Sequence, residues 1–65
     1  MKVQYFKDTD TLYIEFNAHR ISETRDLDEN TLLDLDEAGN ICAMTFEHAS
    51  KRTDVDRLTV EGMAA

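Results

Sequence analysis

The chain has 65 residues, a formal net charge of −7 at pH 7 and hydrophobic residues at 42% of its positions. This length is near the lower limit for a self-supporting core, and the acidity opposes binding to nucleic-acid phosphate. The single cysteine excludes an intrachain disulfide, and no apolar run reaches the length of a membrane span or signal peptide. We expect one cytoplasmic domain over residues 1–65, ordered over about 2–60, with a disordered tail over 61–65 and with self-association adding burial.

The first two strands are predicted from alternation on both sides of a polar turn. In TLYIEFN the side chains of Leu12, Ile14 and Phe16 fall on one face and Tyr13 on the other. KVQYF precedes this segment, and KDTDT between them is typical turn material. Residues 2–17 are therefore predicted to form an antiparallel hairpin.

The segment ISETRDL, residues 21–27, alternates too weakly to predict a buried face. Its charged side chains are typical of an edge strand, since charges discourage pairing with other chains. We interpret it as an edge strand or an extended connection.

A second hairpin is predicted from TLLDLD and NICAMTFE, which flank a turn around DEAGN. Gly39 supplies the positive φ that such a turn requires. EHASKR then lacks strand alternation and predicts a short C-terminal helix, whereas the pattern over 53–62 fits helix or strand equally. The expected fold is α+β, mainly β, with about four antiparallel strands as two hairpins and a short C-terminal helix. One buried face should hold Leu12, Ile14, Phe16, Leu33, Leu35, Met44 and Phe46.

The stretch DLDENTLLDLDE, residues 26–37, places oxygen-bearing side chains at several ligand positions of an EF-hand calcium loop. The glycine that an EF-hand requires at its sixth position is replaced by Thr31, and the flanking sequences predict strands. Leu33 and Leu35 also alternate as strand residues do. We therefore interpret the acidic residues as the solvated face of a strand.

YFKDTDTLYIEF followed by LLDLDEAGNICAMTFEHAS resembles the small bacterial and archaeal proteins of domain of unknown function family 2283. The resemblance spans about residues 3–52 and departs at Ala43, where members often carry glycine, and at Thr45, often glutamate. It implies a compact β-sheet with a C-terminal helical piece, no transferable catalytic residues and, for some members, the smaller role in a toxin–antitoxin-style gene pair. The matching residues are Tyr5, Asp8, Asp10, Leu12, Tyr13, Ile14, Asp34, Leu35, Asp36, Gly39, Met44, Phe46, Ala49 and Ser50.

Several side chains invite a site, but the pattern around each favours a structural role. His19 and His48 lack the short shared spacing of metal ligands, and Ser22 or Ser50 lacks a nucleophile motif. Cys42 falls on an apolar strand face and is expected to be a buried, inert thiol. The basic cluster of Lys51, Arg52 and Arg57 is expected to balance nearby acids. We predict no catalytic residue, cofactor or bound metal.

Two functions remain open on the sequence. The first is a non-enzymatic module that self-associates as a homodimer or binds a protein partner, and that is antitoxin-like. Its expected contact surface consists of Tyr13, Ile41, Ala43 and Thr45, and it binds neither nucleic acid nor membrane. The second is a small enzyme or metal-binding protein that uses His19, His48 and nearby carboxylates.

Millimolar calcium should leave the melting temperature nearly unchanged if residues 26–37 belong to strands. A ligand at 100 times its dissociation constant adds about 2.7 kcal/mol to the free energy of unfolding. In so small a domain this would raise the melting temperature by roughly ten degrees. A rise of that size in a thermal melt, abolished by Glu37→Ala, would contradict the strand interpretation.

Overall fold

The computed structural model describes residues 1–62, and five segments of that range form one antiparallel sheet. None of the described residues belongs to a helix with the length and apolarity needed to cross a membrane. The order across the sheet is β1-β2-β5-β4-β3. The strands are β1 (Lys2–Phe6), β2 (Thr11–Glu15), β3 (Glu23–Asp28), β4 (Thr31–Leu35) and β5 (Ile41–Phe46).

Both predicted hairpins are confirmed, and the pairing of β2 with β5 joins them at the centre of the sheet. Residues directly opposite one another share a face, so the register separates two surfaces. One, which we call the apolar face, contains Val3, Tyr5, Leu12, Ile14, Thr31, Leu33, Leu35, Met44 and Phe46, with Glu23 and Arg25 at its β3 edge. The other, which we call the acidic face, contains Lys2, Gln4, Tyr13, Glu15, Thr24, Asp26, Leu32, Asp34, Ala43 and Thr45.

The sheet has five strands, whereas the sequence predicted about four and left residues 21–27 as an edge strand or a connection. Glu23–Asp28 is a full strand, β3, which pairs with β4 at one edge of the sheet. All six of its residues are exposed, so it has no buried face to impose an alternating pattern. Most of residues 26–37 belong to β3 or β4. This segment therefore has the backbone of two paired strands and not that of a calcium-binding loop.

The predicted C-terminal helix is wrong, because the chain after β5 forms only a 3-10 turn over Ala49–Lys51. His48 precedes this turn with a left-handed φ of 55°, which interrupts the backbone conformation that a helix from Glu47 would need. Residues 53–62 contain turns but neither helix nor strand. The predicted disordered tail lies in part outside the described residues, since it includes 63–65.

A β-bulge interrupts the pairing of β4 with β5. Asp34 lies opposite Ala43, but the next residue, Leu35, lies opposite Ile41. Cys42 is therefore the extra residue of the bulge, and only 1% of its surface is exposed. The prediction that Cys42 is buried is confirmed.

The molecule is flat, with principal extents of 37 × 33 × 17 Å. The fully buried hydrophobic residues are Leu35, Cys42, Ala43 and Ala49, all small except the leucine. The central side chains of the apolar face are only half-buried, and Phe16, also expected there, is exposed. The part of the chain that the structure describes thus supplies no second layer over this face.

Leu35→Ala should lower the free energy of unfolding by about 2–5 kcal/mol, because this side chain is only 7% exposed and its removal leaves a cavity. Leu27→Ala deletes the same atoms from a side chain that is 58% exposed and should cost less than about 0.5 kcal/mol. Urea denaturation at one protein concentration compares the two. Equal losses would contradict the assignment of Leu35 to the core.

Candidate functional site

Asp10 joins the turn between β1 and β2 to the chain after β5. Its Oδ1 accepts from the Tyr5 hydroxyl at 2.5 Å and from the Ser50 backbone N–H at 3.0 Å. Its Oδ2 accepts from the Ser50 hydroxyl at 2.7 Å, and its backbone carbonyl accepts from the Ala49 N–H at 2.9 Å. We call this group of Tyr5, Asp10, Ala49 and Ser50 the clasp.

The clasp favours an ionised Asp10. The hydrogen bond from Tyr5 contributes most to lowering the pKa of the Asp10 carboxyl, followed by the bond from the Ser50 hydroxyl, and the charge of His48 acts in the same direction. The same bond to Asp10 raises the pKa of the Tyr5 hydroxyl, because the phenol must keep its proton to donate. Asp10 itself has a left-handed φ of 53°, a conformation that Asp adopts more readily than most residues.

The serine, histidine and aspartate residues are arranged as structural links. The Ser50 hydroxyl donates directly to the Asp10 carboxylate, and the Ser22 N–H donates to the carbonyl of Leu35 at 2.8 Å. A catalytic serine instead donates to a histidine that can accept its proton. The clasp therefore holds the chain after β5 against the first hairpin.

Arg52 makes the second attachment of this segment. Its guanidinium donates to the carbonyls of Asn30 at 2.7 Å and Glu47 at 3.1 Å, and to the Thr31 hydroxyl at 2.6 Å. Its central carbon lies 5.4 Å from the centre of the Phe46 ring, within the range of a cation–π contact.

The predicted basic cluster balances acids only in part. Arg52 lies 3.9 Å from a carboxylate oxygen of Asp28, a long ion pair. The Asp28 carboxylate also accepts from the backbone N–H of Asn30, and this bond is the main reason that its pKa is lowered. Lys51 and Arg57 are exposed. The guanidinium of Arg52 thus serves mainly as a hydrogen-bond donor to backbone and threonine oxygens.

The chain after β5 lies over strands β2 and β5 on the apolar face and leaves a groove of about 200 Å³ there. The groove is lined by Leu12, Ile14, Phe46, Arg52 and Thr53. Its walls are mainly aliphatic and aromatic, with one guanidinium at the rim. Its volume is below the range of about 300–1,000 Å³ that is typical of small-molecule sites.

The predicted contact surface is divided by the bulge. Tyr13 and Thr45 lie opposite one another on the acidic face. Ala43 lies on that face too but is only 1% exposed, so it offers little area for contact. Ile41 is exposed, but it lies on the other side of the bulge from Ala43. It pairs with Leu35, whose side chain is on the apolar face.

Carboxylates border Tyr13 and dominate the acidic face. The Tyr13 hydroxyl donates to Glu15 at 3.2 Å, and the Thr24 hydroxyl donates to Asp34 at 2.7 Å. Partial burial raises the pKa of Tyr13, and its bond to Glu15 and the charge of Asp34 add to the effect. The hydroxyl therefore remains protonated at neutral pH on a face of negative potential.

The two histidines lie beside different carboxylates. The charge of His48 lowers the pKa of the Asp10 carboxyl, whereas Nδ1 of His19 lies 3.2 Å from Oδ2 of Asp36. His19, Asp36 and Cys42 each place one donor atom within 4.8 Å of the other two. The structure thus brings together one of the predicted histidines, the predicted buried thiol and Asp36, a residue of the family pattern to which the sequence assigned no role in a site.

Asp36 uses its two oxygens differently. Oδ1 accepts from the backbone N–H groups of Ala38 at 3.0 Å and Asn40 at 2.9 Å, within the turn that Gly39 closes with a φ of 86°. The bond from Asn40 is the main reason that the pKa of Asp36 is lowered, and His19 contributes next. Burial raises the pKa of the Cys42 thiol, and so does the charge of Asp36.

A family model described as protein of unknown function (DUF2283) matches residues 2–50, well over half of the chain. The resemblance based on the residues alone is therefore confirmed. The match includes the residues of the clasp and both hairpins. No curated protein and no solved structure matches the chain.

The clasp should make the fold sensitive to acid. The pKa of Asp10 is lower in the folded than in the unfolded chain, so its contribution to stability is present above about pH 4 and is lost as the pH falls through the folded-state value. Asp10→Asn should lower the melting temperature at neutral pH and flatten its further decline in acid.

The matched control is Asp8→Asn, an exposed aspartate in the same turn, which should keep the wild-type dependence of melting temperature on pH. Thermal melts followed by circular dichroism between neutral pH and about pH 3 provide the comparison. If the melting temperatures of the wild type and Asp10→Asn fall in parallel with pH, the ionisation of Asp10 does not contribute to the stability of the fold.

Proposed function

We propose that this chain, which belongs to the DUF2283 family of unknown function, is a non-enzymatic module that self-associates through its apolar face. The observation that carries the proposal is the row of half-buried side chains across three neighbouring strands. Leu12 and Ile14 lie opposite Phe46 and Met44, and Met44 in turn lies opposite Leu33. Apolar area of this extent gains free energy when a second surface removes it from water.

The distribution of charge favours this face for contact between two copies. Each copy carries a net charge of −7, so two copies repel wherever their carboxylates approach. Glu15, Asp26 and Asp34 all lie on the acidic face. The apolar face is bordered at its β3 edge by Arg25, which pairs with Glu23 at 3.0 Å and so adds little net charge.

The size of the face is sufficient for a dimer. A standard interface buries about 800 Å² on each partner. The molecule measures 37 × 33 Å across its two longer extents, and the chain after β5 covers only part of the apolar face, where the groove lies between Arg52, Thr53 and the side chains of Leu12, Ile14 and Phe46. Two such sheets packed face to face would form the second layer that each chain lacks.

The acidic face supports a second candidate function, the binding of a basic protein partner. Tyr13 provides an aromatic contact among carboxylates there, a combination that suits a cationic surface. An antitoxin-like role with a small basic partner is the form of this function that the family resemblance suggests. The free thiol of Cys42 is consistent with the reducing cytoplasm of a prokaryotic cell, the location that we include in the proposal.

Met44→Glu should weaken the dimer at least about tenfold, because it buries a carboxylate at the centre of the proposed contact. Thr45→Glu introduces the same side chain at the next residue but on the acidic face, and it should leave dimerisation unchanged. Sedimentation equilibrium at micromolar concentration distinguishes the dimer from the 7.5 kDa monomer. Val3→Glu, at the exposed border of the apolar face, is a milder variant if Met44→Glu does not fold.

Each other outcome has a definite meaning. A wild-type chain that remains a monomer across this range would contradict self-association. Dissociation by Thr45→Glu alone would move the interface to the acidic face that contains Tyr13. Co-purification of a basic protein that binds the wild type but not a Tyr13→Asp variant would favour the second candidate.

A further inference from the structure

We infer that His19, Asp36 and Cys42 form a binding site for one divalent cation of the zinc class, with Nδ1, a carboxylate oxygen and Sγ as its ligands. One ring nitrogen of His19, one carboxylate oxygen of Asp36 and Sγ of Cys42 all lie within 4.8 Å of one another. They come from three separate segments: the loop after β2, the turn after β4, and the bulge in β5. This site excludes His48 and is independent of the proposed dimer contact.

The spacing of the donor atoms fits a single ion after a small side-chain movement. Zinc binds sulfur at about 2.3 Å and nitrogen or oxygen at about 2.0–2.2 Å, so tetrahedral ligand atoms lie about 3.3–3.8 Å apart. Nδ1 of His19 and Oδ2 of Asp36 are already 3.2 Å apart. The His19 side chain is 65% exposed and free to turn toward the ion, whereas the Asp36 side chain is only 11% exposed.

The kinds of ligand select the cation. A thiolate with an imidazole and a carboxylate suits zinc or cobalt, whereas calcium and magnesium prefer oxygen ligands alone. Three protein ligands leave a fourth position for water. Binding converts the Cys42 thiol to a thiolate, and the displaced proton passes to solvent.

The backbone holds two of the ligands in place before any ion arrives. The carbonyl of Cys42 accepts from the N–H of Phe16 at 2.7 Å and from that of Asn17 at 3.4 Å, which ties the loop after β2 to the bulge. The side chain of Asn17 then accepts from the backbone N–H of His19 at 3.0 Å. A regular β5 would pair Cys42 in the ladder, so the bulge is the feature that sets the direction of its side chain.

Asp36 is suited to be a ligand because its two oxygens have separate roles. The turn uses Oδ1, which accepts two backbone N–H groups, while Oδ2 faces His19. Coordination through Oδ2 would therefore leave the turn intact. The cation would also offset the negative charge that Asp36 places beside the thiol.

The test uses Co²⁺ as a spectroscopic probe on the full chain, prepared without a histidine tag and treated with a chelator. We expect one Co²⁺ per chain and a near-ultraviolet thiolate-to-cobalt charge-transfer band. Cys42→Ser should abolish the band. His19→Ala and Asp36→Asn should each weaken binding at least about tenfold. Asn at position 36 retains the oxygen that accepts the turn hydrogen bonds.

His48→Asn is the matched control, since it removes the other histidine and asparagine tolerates the left-handed φ at that position. It should leave Co²⁺ affinity unchanged. Zn²⁺ should also raise the melting temperature of the wild type but not that of His19→Ala, a readout that does not require the Cys42→Ser variant to fold. A band that is absent, or that persists unchanged in both His19→Ala and Asp36→Asn, would overturn the site.

Discussion

Both faces of a five-stranded sheet must be either covered or solvated, and the chain after β5 supplies only a 3-10 turn and an irregular tail. The clasp and Arg52 hold that segment over part of the apolar face, next to Leu12, Ile14 and Phe46, and the central side chains of this face remain only half-buried. The acidic face does not need to be covered, because its carboxylates and hydroxyls are well solvated by water. The carboxylates thus lie mainly on one face, and our proposal of self-association through the other face rests on that difference.

The strands whose side chains alternate between a half-buried and a solvated face could be predicted from the sequence. The two hairpins and the shared face of Leu12, Ile14 and Met44 follow from that period of two. The sequence of β3 does not alternate between apolar and polar residues, because this strand lies at an edge of the sheet with both faces exposed. The helix was predicted from the absence of alternation after Phe46, but that absence also fits a turn. The decisive feature is the left-handed backbone of His48, which composition does not reveal.

The candidate metal site shows a different limit of sequence reasoning. His19, Asp36 and Cys42 are separated by 17 and 6 residues, and no compact spacing marks them as ligands. Their proximity depends on the central pairing of β2 with β5 and on a bulge that alternation does not disclose. The clasp had a weak signal, since Tyr5, Asp10 and Ser50 are among the residues that carry the family resemblance. Its geometry explains why an early turn and a late alanine-serine pair belong to one pattern.

The two edges of the sheet differ in how readily they could pair with a further strand. β3 carries charges along its length and a register irregularity between Asp26 and Asp28, both of which hinder pairing with a further strand. β1 has one charged residue, Lys2, and a free row of backbone donors and acceptors. A strand added at β1 from another copy would use up the permissive edge of both molecules, because an antiparallel β1–β1 contact is self-complementary. Edge pairing of this kind closes as a symmetric pair, so that strand addition at β1 ends with two molecules.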